Sequence, residues 1–70
     1  MATRQYVFVV LNKGVSSYLE YKEDGTALFE PENGSRATIF RLDKNAARLI
    51  CKLLSEDREQ AVHFMEVKSF

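Results

Sequence analysis

Residues 6–21 read YVFVVLNKGVSSYLEY, and the reading of this stretch decides the fold. Two runs rich in β-branched and aromatic residues flank Asn12-Lys13-Gly14, the signature of a β-hairpin. A three-residue loop ending in glycine fits a type I turn closed by Gly14 in the left-handed region. Such a loop pairs Leu11 with Val15, Val9 with Ser17, Val7 with Leu19 and Gln5 with Tyr21.

Two further turn signals lie downstream, Asp24-Gly25 and Asn33-Gly34. Both dipeptides supply the two positive φ angles of a type I′ turn. The predicted strands are Gln5–Leu11, Val15–Glu23, Thr26–Glu32 and Ser35–Leu42, with Pro31 marking the third as edge-like. Two-residue loops pair Tyr21 with Leu28, and Leu28 with Ile39. After Leu42 the period changes. Asp43 is an N-cap residue, and Ala46, Leu49, Ile50, Leu53 and Leu54 recur at helical spacing, predicting about three turns that end near Ser55. Glu56–Gln60 is a polar connector and Ala61–Ser69 a last strand. The expected fold is α+β in one domain, 1–70, of order ββββαβ. The last strand returns beside the first, for a sheet order 5-1-2-3-4.

Side chains alternate along strands, so the registers sort residues by face. Val7, Val9, Leu11, Val15, Leu19, Tyr21, Leu28, Ala37 and Ile39 fall on one face, the one expected beneath the helix. Tyr6, Phe8, Val10, Tyr18, Phe29 and Phe40 fall on the other, with Glu20 and Lys22 among them. For the last strand, Val62 with Phe64 or His63 with Met65 and Val67 could point inward. Five of the eight aromatics thus sit on a face that one helix cannot cover. An uncovered apolar face marks an interaction site, and Tyr6, Phe8, Tyr18, Phe29 and Phe40 are its expected anchors, for a second copy or a foreign protein.

Charge is balanced at ten basic and ten acidic residues, which argues against a general nucleic-acid binder. It is segregated nonetheless. Glu20, Glu23, Asp24, Glu30 and Glu32 form an acidic stretch, while Arg36, Arg41, Lys44, Arg48 and Lys52 form a basic ridge. That ridge carries the alternative function, nucleic-acid binding or transcription modulation. The single cysteine, Cys51, rules out an internal disulfide and suits a reducing cytoplasm; beside the helix stripe it reads as a small buried hydrophobe. His63 stands alone, and a triad or His-based metal site would need partners that the chain does not concentrate near it. No catalytic, cofactor or metal motif emerges, and no apolar run is long enough for a signal peptide or a membrane span.

In layout, the compact meander, the Asp43–Leu54 helix and the short returning strand, the chain resembles the small accessory proteins of bacteriophages, host-takeover and anti-defence inhibitors among them. The resemblance implies a protein that binds and blocks a host protein, and it carries over no functional residue; the short length and the lack of a catalytic motif lead to the expectation that it is not an enzyme. A domain of seventy residues without a disulfide or metal also gains most from association, as a homodimer or with a partner.

Overall fold

A computed structural model describes residues 3–31 and 36–68. Its elements are β1 (Arg4–Asn12), β2 (Val15–Tyr21), β3 (Ala27–Pro31), β4 (Phe40–Leu42), α1 (Lys44–Arg58) and β5 (Val62–Glu66). The class and the ββββαβ order are those expected. The Asn33-Gly34 turn and the start of the predicted fourth strand at Ser35 lie outside the described residues.

The two described hairpins exchange the loop lengths read from the sequence. Asn12 stays in β1 and pairs with Val15, so the first loop has two residues, Lys13 at φ 52° and Gly14 at φ 79°. Both are left-handed, as a type I′ turn requires. In the second, the Lys22 amide donates to Thr26 O at 2.8 Å and the Gly25 amide to Lys22 O at 3.0 Å. Gly25 has φ 90°, so Glu23, Asp24 and Gly25 make the three-residue loop with its glycine last. The Asp24 carboxylate fixes this turn by accepting from the Thr26 amide at 2.9 Å.

Each exchange slips the register by one residue. Val9 now faces Tyr18, Glu20 faces Leu28, and Leu19 faces Phe29. The two slips cancel between β1 and β3 and leave only β2 turned over. Leu19 therefore joins the aromatic face, and Tyr18 leaves it.

The position of β4 is a second correction. It pairs with β1, Tyr6 with Phe40 and Arg4 with Leu42, and not with β3. β1 is shared by three strands. β5 runs along one edge from Tyr6 to Val10, while β2 holds Val9–Asn12 and β4 holds Arg4–Tyr6 on the other. β1 and β2 diverge past Val9, and the 38–42 segment fills the fork. Thr38 secures it to β2: its amide donates to Leu19 O at 3.0 Å, and its Oγ1 accepts from the Tyr21 amide at 2.7 Å. With β4 on β1, the expected Leu28–Ile39 pair does not form, and Leu28 keeps only its partner on β2.

The helix covers the aromatic face, the reverse of the expectation. Phe8, Val10, Leu19, Cys51 and Val62 form the buried cluster, with Phe29, Phe40, Leu42, Ile50, Leu54 and Phe64 packed against it. Phe8 and Phe40 meet edge-to-face at 5.4 Å, and Tyr6 and Phe64 do so at 5.6 Å. The physical reason is area. Aromatic rings bury roughly 150–250 Å² each, so covering this face removes more apolar surface from water than covering the valine face. In β5, Val62 and Phe64 share the register of Val10 and Phe8 and point to the helix, while His63 and Met65 point away.

The helix starts as predicted, with Asp43 Oδ1 accepting from the Ala46 amide at 2.8 Å. It runs one turn beyond Ser55 and ends at Glu59, left-handed at φ 55°, whose amide donates to Ser55 O. Its buried stripe is Ala47 and Cys51 flanked by Ile50 and Leu54. Leu49 and Leu53, read as core from their spacing, are 58% and 56% exposed. An apolar run wider than the contact with the sheet leaves one edge in water.

Candidate functional site

The expected aromatic anchors do not form a surface. Tyr6 and Phe8 are buried, Phe29 and Phe40 are partly buried against the core, and Tyr18 lies on the opposite face across from Val9. The proposed partner-binding set is therefore corrected: four of its five members are packing residues beneath the helix.

The face left open is the aliphatic one. Val7 and Val9 lie at its centre and are buried although the helix packs on the opposite face; among the described residues only neighbouring side chains on the same sheet face can shield them. Leu11, Ile39 and Met65 stand around that centre, 60%, 53% and 46% exposed. Tyr18 and Leu28 share the face. Charge borders it. Arg36 Nη2 lies 3.2 Å from Glu30 Oε2, and its Nε lies 3.8 Å from Glu20 Oε1. Arg41 and His63 fall on the same side by register.

The basic ridge is divided rather than continuous. Arg36 is drawn into ion pairs with the acidic stretch. Arg48 and Lys52 lie on the exposed flank of α1, whereas Lys44 and Arg41 line two clefts at one end of β1. The first cleft, about 510 Å³, is lined by Arg4, Tyr6, Lys44, Phe64 and Glu66. The second, about 320 Å³, shares Arg4 and Glu66 with it and adds Arg41 and Lys68. Arg4 Nη1 and Glu66 Oε2 are 3.3 Å apart. Sequence reasoning missed Arg4, Glu66 and Lys68 because they meet only through the β1–β5 pairing. The signal available was the placement of a returning strand beside the first.

Cys51 is a structural thiol. Its Sγ donates to Val62 O at 2.7 Å, and burial pushes its pKa up, away from the nucleophilic thiolate. Among the described residues no group of three His, Cys, Asp or Glu side chains could hold a metal ion, and no helix is long and apolar enough to cross a membrane. No family model, no curated protein and no solved structure matches this chain, so its function has to be read from its own geometry.

Proposed function

We propose that the chain is a non-enzymatic binding protein, working without a cofactor in a reducing cytoplasm, that self-associates through the open face of its sheet. The observation that carries this reading is the apolar patch of Leu11, Ile39 and Met65 around Val7 and Val9 on the side without a helix. Exposed apolar patches rimmed by polar groups are characteristic of association surfaces. The face carries acids at Glu20 and Glu30 and bases at Arg41 and His63, so a two-fold axis can set unlike charges against each other.

Sedimentation equilibrium tests the proposal. The expected mass at micromolar concentration is twice the 8.1 kDa protomer. Leu11→Glu with Met65→Glu should give a folded monomer, while Leu49→Glu with Leu53→Glu on the helix should leave the dimer intact. A wild-type protein that stays monomeric at hundreds of micromolar would overturn it.

A further inference from the structure

We infer that the two clefts on either side of the Arg4–Glu66 pair form one binding site for a small, multiply charged phosphorylated ligand. The inference does not depend on self-association: its residues lie at the end of β1, only Arg41 also borders the open face, and the cleft variants below leave Arg41 in place.

The first support is charge. In a chain with ten cations and ten acids, the described residues that line these clefts include four cations but a single acid. That acid is committed to Arg4, and the bond uses only Nη1. The Nε and Nη2 edge of the guanidinium remains to receive a phosphate in the bidentate manner arginine favours. Arg41, Lys44 and Lys68 have no ion-pair partner among the described residues, in contrast to Arg36 with its two glutamates. Gathering unpaired like charges at one end destabilises the fold in the empty state. An anion carrying several charges relieves that repulsion.

The second support is shape. A cleft of about 510 Å³ lies within the size range of small-molecule sites, roughly 300–1,000 Å³. Its inner wall is the Tyr6–Phe64 pair, with lysine and arginine on the rim. Tyr6 is buried and the two rings are set edge-to-face, so they do not offer the row of parallel open π-faces on which successive bases stack in single-strand binders. With zero net charge, the protein also lacks the long-range field that draws a polynucleotide. Compact phosphate chemistry fits, and an extended nucleic acid does not.

The experiment is calorimetric titration of the wild-type protein with tripolyphosphate, at low salt and at 150 mM. Micromolar binding at one site per chain is expected. Arg4→Gln with Lys44→Gln should weaken it at least tenfold with the melting curve retained, because both side chains lie on the surface. Glu66→Gln should tighten it several-fold by removing the competing carboxylate. Arg48→Gln with Lys52→Gln, a control of equal charge change outside the clefts, should leave it within twofold. No binding at millimolar tripolyphosphate would overturn the inference. So would equal losses in the cleft and control variants, or an acidic peptide or single-stranded oligonucleotide that binds as tightly as tripolyphosphate.

Discussion

The Arg58 guanidinium lies 4.9 Å from the centroid of the Phe29 ring, and its Nη2 donates to Ala27 O at 3.3 Å. One side chain at the last turn of α1 thus ties the helix to β3, the strand farthest from β5. Its Nε is buried with no hydrogen-bond partner among the described residues, and the ring and one carbonyl replace part of the hydration of the half-buried charge.

Arg58→Ala should therefore destabilise the domain by about 1–2 kcal/mol, summing a cation–π contact and a charge-assisted hydrogen bond. Arg58→Met should recover part of that loss by packing on Phe29 with no polar atom to bury. Urea denaturation followed by far-ultraviolet circular dichroism measures both. If Arg58→Ala has no effect, the clamp has no energetic role.

One exposed helix residue and one buried strand residue give a contrast that tests which face the helix covers. Leu53→Ala should change stability by less than about 0.5 kcal/mol, because the side chain is already in water. Phe8→Ala, at the centre of the buried cluster, should cost about 3–5 kcal/mol and leave a small domain largely unfolded. The milder Val62→Ala provides a measurable intermediate if Phe8→Ala cannot be purified. Equal effects at residues 8 and 53 would mean that the helix covers the other face.

The first hairpin turn can be tested through its backbone. Nothing lies within 4 Å of a Cβ placed on Gly14, yet Gly14→Ala should cost about 1–2 kcal/mol, because φ 79° is left-handed. Lys13 already accepts φ 52° with a side chain, so Lys13→Gly should be neutral or slightly stabilising. A three-residue type I loop with only Gly14 left-handed predicts no gain at residue 13. Thermal melts of the two variants separate the turns.

Asp24 supplies a pH dependence. Hydrogen bonds from the Thr26 hydroxyl and the Thr26 amide hold its carboxyl below the ordinary 3.8. The folded state therefore binds this proton less readily than the unfolded chain. The associated stability is present above about pH 4 and fades as pH falls through the folded value. Asp24→Asn should remove this acid-side dependence, and nuclear magnetic resonance titration of the Asp24 carboxyl should place its midpoint below that of a model peptide. A midpoint at or above 3.8 would contradict the turn geometry.

The fold was legible where local chemistry is decisive. Asp43 and the change of period locate the helix start, and the glycines locate the hairpins, because capping and left-handed φ act over three or four residues. Register was not legible to one residue. Asn12-Lys13-Gly14 and Glu23-Asp24-Gly25 each admit a two- or a three-residue loop, and the sequence does not state whether Lys13 will enter the left-handed region. Turning β2 over exchanged Tyr18 for Leu19. The side that the helix covers is a global competition between two apolar faces, decided by the rings of Phe8, Phe40 and Phe64 after β5 has returned. For the same reason the candidate surfaces were misplaced: the aromatics that looked free are the core, and Arg4 meets Lys44 and Lys68 only in three dimensions.

The sharing of β1 among three strands also sets the order of events in folding. Its partner in the Tyr6–Glu66 pair is sixty positions away in sequence, and its partner in the Asn12–Val15 pair only three. The first hairpin can close within microseconds. The central strand gains its second edge only when the chain has been made through Glu66 and has looped back. During synthesis at about 5–20 residues per second, β1 therefore spends seconds as an unfinished edge of apolar side chains, the interval in which a chaperone or a second nascent copy has access to it.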